Sequence, residues 1–196
     1  MIQMMESEYK RSVSEKRQER ENRLLSTSRN WFSLVGLFPL GEGKNYLGGN
    51  EKTSISIPGA PQQQYAILEL SDGKVALAHW STALLLNSEP AEPRQIRSDH
   101  DSEPDLMSIG AIQIMLLQRG ERFFLRAWDT QSARARGFHG LNYFNVDPVY
   151  RISARYTPFN EPRCLPIEDA IGTNYTVKFS GRADFAIAGV HCSLIA

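Results

Sequence analysis

The chain has 196 residues, 41% hydrophobic and 22% charged, with 22 Lys plus Arg against 22 Asp plus Glu. That length suits one domain able to bury a real core, and the balanced charge excludes a general nucleic-acid binder, which needs a basic excess or a basic face. No run approaches the roughly 18 consecutive apolar residues of a membrane-spanning helix, and the start, MIQMMESEYKR, has no apolar signal segment. Two cysteines, Cys164 and Cys192, are too few for a disulfide scaffold. These features predict a cytoplasmic protein with reduced thiols and with no membrane or nucleic-acid partner.

Met4 to Leu25 lacks Gly and Pro and is rich in Glu, Lys, Arg and Ser, which predicts a helix. Its apolar content is thin, with Tyr9, Val13 and Leu24 near one stripe. The helix is therefore expected to be mostly solvated, with the run Lys16, Arg17, Arg20 and Arg23 on an exposed face. Trp31 to Leu40 is apolar but interrupted by Gly36 and Pro39. A short helix or turn is expected there, docking Trp31, Leu34, Leu37 and Phe38 onto a core. Gly41 to Asn45 (GEGKN) lacks the spacing of a phosphate loop and reads as a tight turn.

From Thr53 onward the pattern is β. Thr53 to Ile57 alternates, Tyr65 to Leu70 and Lys74 to His79 flank the turn signal Ser71-Asp72-Gly73, and Thr82 to Leu86 reads as another strand. Ser98 to Asp105 carries Asp99, Asp101, Glu103 and Asp105 on alternate positions. It fails the EF-hand pattern and reads as a solvated acidic loop rather than a cation site. Ala111 to Gln118 and Glu121 to Trp128, joined by Arg119-Gly120, form the best-defined hairpin. A two-residue turn there pairs Leu116 with Phe123, Ile114 with Leu125 and Ile112 with Ala127, all apolar and all on one face. Tyr150 to Tyr156, Asn174 to Ser180, Asp184 to Gly189 and His191 to Ile195 complete the predicted strands, with a turn at Ser180-Gly181-Arg182. Many short strands after a single helix predict an all-β fold, a sandwich or partly open barrel of antiparallel strands, with the N-terminal helix packed outside. The expected division is a charged helix over residues 1–29 and one β domain over 30–196.

Four blocks of residues carry a family resemblance. They are Trp31, Leu34, Gly36, Leu37, Leu40, Gly43 and Gly48; the hairpin end QRGERFFLRAWD with Arg119, Arg126 and Asp129; Phe138, Gly140, Leu141, Phe144, Asp147, Tyr150 and Arg151; and Phe179, Gly181, Phe185 and Gly189. Together they resemble an uncharacterised, mostly bacterial family known as domain of unknown function 1684, over most of the chain. Members of that family typically continue with an Asp-Phe-Asn, a Pro-Pro-Cys-containing stretch and a Cys-Pro-Leu-Pro segment, none of which occurs here. The resemblance thus implies that the family's C-terminal part is lacking. An exposed sheet edge, through which copies of the chain could pair, is expected to follow.

The second face of the predicted hairpin sets Gln113 across from Arg126, Ala111 across from Trp128 and Met115 across from Phe124. An arginine between two aromatic residues on a partly covered face fits an anionic or aromatic ligand, bound by Gln113, Phe124, Arg126 and Trp128. The alternative there is a structural network in which Asp129 pairs with Arg126 or another arginine. A second reading is an enzyme of hydrolase or isomerase type, with Asp129, His139 or Asp147 as base if these side chains converge. A third is a protein-interaction module acting through the helix or an open edge. The four histidines lie far apart and the cysteines form no C-x-x-C, so no metal site is predicted, and no cofactor motif is present.

Overall fold

The computed structural model describes residues 2–50, 53–61, 63–168, 172 and 174–196. Helix α1 (Ile2–Leu25) is followed by β1 (Leu34–Pro39), β2 (Gly43–Gly48), β3 (Ile55–Ser56), β4 (Ala66–Ser71), β5 (Lys74–Trp80), β6 (Leu85–Leu86), β7 (Glu89–Pro90), β8 (Leu106–Ile109), β9 (Ile112–Arg119) and β10 (Arg122–Asp129). A helical turn, α2 (Ala133–Arg136), and a 3-10 turn (Pro148–Tyr150) precede β11 (Arg155–Glu168), β12 (Asn174–Ile187) and β13 (Val190–Ile195). The protein is therefore mostly antiparallel β with one long N-terminal helix, as its composition and alternation predict. The chain folds as two compact units, residues 20–141 and residues 1–19 with 142–196.

In the unit 20–141, a six-stranded sheet of order β1-β10-β9-β8-β6-β7 and a four-stranded sheet of order β3-β2-β4-β5 contribute to one hydrophobic core. Leu47, Leu68, Val75 and Leu77 come from one sheet, and Met107, Ile112, Ile114, Leu116 and Leu125 from the other. Period-two alternation does the sorting: along β4 the buried residues are Ala66, Leu68 and Leu70, every second position. Asp72 and Gly73 both take positive φ, 52° and 68°, the geometry of the type I′ turn that closes tight hairpins.

The central hairpin is present, and its register is a correction to the sequence reading. The turn is Gly120-Glu121 rather than Arg119-Gly120, because glycine takes the first turn position at φ 61°. Leu116 therefore faces Leu125, Ile114 faces Ala127 and Gln113 faces Trp128. Relative to the predicted pairing, one strand is displaced by two residues along the other. A displacement of two preserves which side chains share a face, so the apolar set still points into the core.

The segment predicted as a short helix or turn, Trp31 to Leu40, begins with a turn but then forms strand β1, paired with β10 from Leu34↔Trp128 to Pro39↔Phe124. Pro39 is tolerated because β1 is an edge strand, and a bulge between Leu34 and Gly36 absorbs the irregularity. Of the residues expected to dock there, Phe38 packs on the core, whereas Trp31 remains 76% exposed.

The other unit carries the sheet β11-β12-β13. Tyr150 to Tyr156, predicted as one strand, is a 3-10 turn followed by irregular chain, and pairing starts only at Arg155. Asp147 causes this locally: its carboxylate accepts a hydrogen bond from the Val149 backbone N–H at 2.9 Å and caps the turn, with Pro148 at its first position. The predicted turn at Ser180-Gly181-Arg182 is also corrected, since β12 runs unbroken through it. Gly181 is needed there for clearance, because a Cβ would collide with the ring of Tyr156. β11 lies at one edge and contains Pro158, Pro162 and Pro166, which remove three backbone donors, whereas β13, at the other edge, has none. Tyr156, Leu165, Tyr175, Val190, Leu194 and Ile195 of this sheet are all exposed.

Candidate functional site

The face of the six-stranded sheet turned away from the core carries Arg126 and Trp128 of β10, with Gln113 and Met115 of β9 beside them. Leu117, Phe124 and Trp128 on this face are buried, apart from the main core. Arg126 lies over the Trp128 ring, 6.0 Å from its centroid, and Arg122 lies over Phe124 at 4.9 Å. Phe124 therefore stacks with Arg122, whereas Arg126 rests on Trp128 alone of its two neighbouring rings.

A tight turn ahead of β1 closes one side of this face. The Asn30 side-chain oxygen accepts from the Phe32 and Ser33 backbone N–H groups at 2.9 and 3.0 Å, and its amide donates to the Thr27 carbonyl at 2.8 Å. The Asp129 backbone N–H donates to the Ser33 carbonyl at 2.8 Å and ties this turn to the end of β10. Arg29 and Trp31 are thereby held beside Arg126, Trp128 and Leu34 around a hollow of about 210 Å³. Arg29 and Arg126 have no carboxylate partner among the described residues. Of the four predicted ligand residues, Arg126 and Trp128 line the hollow and Phe124 and Gln113 do not. Gln113 stands directly across from Trp128, with its side-chain oxygen buried and without a partner among the described residues. Arg29 and Trp31 were missed by sequence reasoning, since no periodicity marks a turn that folds back over a sheet.

The predicted bases occupy different settings. The Asp129 carboxylate accepts the Gln131 backbone N–H at 2.8 Å and lines a separate depression with Ser33 and Ser132. No ion pair joins it to Arg126 or to another arginine among the described residues, so the expected structural network does not form there. His139 is exposed, and among the described residues no hydrogen bond joins it to Asp129. Asp147, exposed and engaged in capping, belongs to the other unit.

The strongest charge cluster lies in the loop read as solvated, and it is structural. Asp105 is fully buried and accepts from Asn87 at 2.7 Å, from Arg94 at 2.9 and 3.0 Å, and from the Arg97 backbone N–H at 2.8 Å. The Arg97 guanidinium adds bonds at 2.9 and 3.2 Å. Burial alone opposes ionisation and is the largest single influence on this carboxyl. The bonds from Arg97 and Asn87 and the charge of Arg94 together outweigh it and hold the group below the usual carboxylate range. Asp99 likewise binds the Gln118 backbone N–H at 2.9 Å and Arg119 at 2.7 Å and so anchors the loop to β9, whereas Asp101 and Glu103 are exposed as expected.

Fold and site thus define an antiparallel β protein with an arginine- and tryptophan-lined hollow on one sheet face. Residues 136–196 match the model of a family described as protein of unknown function (DUF1684), about the C-terminal third of the chain. The match covers the third and fourth resemblance blocks; the first two lie outside it. No curated protein matches the chain, and no solved structure does. Among the described residues no helix is long and apolar enough to cross a membrane.

Proposed function

We propose that the protein binds a small anionic or aromatic ligand in the hollow formed by Arg29, Trp31, Arg126 and Trp128. The observation that carries this reading is the placement of Arg126: it stacks on Trp128 and borders the hollow, and no described carboxylate neutralises it. A guanidinium fixed over a ring presents a planar fork of donors to a carboxylate or phosphate, while the exposed Trp31 offers a face to an aromatic group. A thermal-shift screen of small carboxylates, phosphates and aromatic acids should yield a stabilising ligand. Arg126→Ala is expected to keep the fold and to weaken that ligand by at least about tenfold, the loss of one charged hydrogen-bond donor. Unchanged affinity in the variant would reject the site.

A second reading, self-association through β13, is favoured by the asymmetry of the sheet edges. Within the sheet β11-β12-β13 the prolines remove donors from the β11 edge and leave β13 as the edge suited to pairing, and β13 pairing with its own copy gives a closed two-fold dimer rather than a fibre. Light scattering should show a dimer that Leu194→Lys, at an exposed edge position, converts to monomer. A wild-type chain that stays monomeric at all concentrations would end this reading.

A further inference from the structure

The unit of residues 1–19 and 142–196 contains a groove of about 410 Å³ that shares no residue with the Arg126 hollow. Tyr9, Val13 and Arg17 form one wall; they are four apart in sequence and so lie along one face of α1. Phe144, Asp147 and Tyr150 form the other.

The polar groups here are held in place before any ligand arrives. Arg17 donates to the Phe144 carbonyl at 2.8 Å and stacks on Tyr143 at 4.5 Å. Asp147 caps the 3-10 turn that carries Tyr150. Arg151 lies over the Tyr9 ring at 5.6 Å. Neither Arg17 nor Arg151 has a carboxylate partner among the described residues. Phe144 is 93% exposed and Tyr150 is 67% exposed, an aromatic cluster left facing water.

We propose that this groove is a second binding site, for a small planar aromatic ring bearing an anionic group, with the ring against Tyr150 and Phe144 and the anion at Arg17. The volume lies within the range of small-molecule sites, roughly 300–1,000 Å³. Charge decides the sign of the ligand. Aromatic faces beside a carboxylate would ordinarily suit a cation, but the Tyr9 and Tyr143 faces already carry Arg151 and Arg17, and one Asp147 oxygen is taken by the Val149 N–H. A further cation would meet two positive charges, and an anion would meet one acid already engaged in capping.

Calorimetric titration of the full chain with 2-naphthoate tests this, with 2-naphthylmethylamine and cyclohexanecarboxylate as controls. Saturable binding of 2-naphthoate is expected, with both controls weaker. Arg17→Gln and Tyr150→Ala are each expected to weaken it at least about tenfold in an Arg126→Ala background, in which the first site no longer contributes. Absence of saturable binding to the wild-type protein, or tighter binding of the amine, would overturn the proposal without requiring any variant to fold. Loss of binding in Arg126→Ala but not in Arg17→Gln would also overturn it and would assign 2-naphthoate to the first site.

Discussion

Asp105→Asn is expected to destabilise the protein by about 3 kcal/mol, the low end of what removing one member of a buried ion pair costs. The substitution keeps the shape of the side chain and removes its charge. Arg94 and Arg97 then lose the counter-charge that both of them bind. Their side chains are 41% and 37% exposed, so water takes up part of the lost attraction, which places the cost at the low end. The network also ties three pieces of chain together: Asn87 beyond β6, the stretch from Arg94 to Arg97 that runs along β5, and the start of β8. Its loss should loosen all three.

The same carboxyl makes stability depend on acidity in a stated direction. Its folded pKa is depressed, so its contribution is fully present above the unfolded value of about 3.9 and disappears as pH falls through the lower folded value. Urea unfolding between neutral and strongly acidic pH should show a constant gap between wild type and Asp105→Asn above pH ~4, narrowing below it. A gap that stays constant into strong acid would mean that Asp105 does not gain stability from its ionised form.

Leu125→Ala is expected to cost about 3 kcal/mol, within the range for leucine truncation in a close-packed core. Leu125 is fully buried between the two sheets and faces Leu116 on β9. Arg126→Ala, one position along the same strand, lies on the opposite face and should change stability by less than about 1 kcal/mol. The contrast between adjacent residues is the useful measurement, because a one-residue slip of β10 would reverse their order. Equal losses in urea midpoint at an unchanged slope would contradict the assigned faces.

The two faces of this hairpin were legible in the sequence because alternation is a local property. Ile112, Ile114 and Leu116 announce their side of the sheet whatever the turn does. The turn itself was misplaced by one residue, since Arg119-Gly120 and Gly120-Glu121 differ only in which position the glycine's positive φ serves. Strand β1 was hidden for a related reason. Gly36 and Pro39 argue against a central strand, and only its edge position beside β10 makes them acceptable. Gly181 misled in the same way, reading as a turn when its lack of a side chain makes room for Tyr156.

The candidate site divides along the same line. Arg126 and Trp128 could be placed on one face from their spacing, but Arg29 and Trp31 reach that face through a turn held by Asn30, which no alternation records. Asp105 shows the opposite failure: alternating acids suggested a solvated loop, and three dimensions supplied two arginines and an asparagine that make burial tolerable.

Taken alone, the amino-acid sequence determined the class of this protein, the long polar helix, most strand positions and the inward side of each principal strand, because propensity and period-two patterning act between residues close in the chain. Tertiary structure decided the pairing register, the division into two units and which charged groups are buried or left unneutralised. Those outcomes depend on segments far apart in the chain that meet only once the sheets have formed.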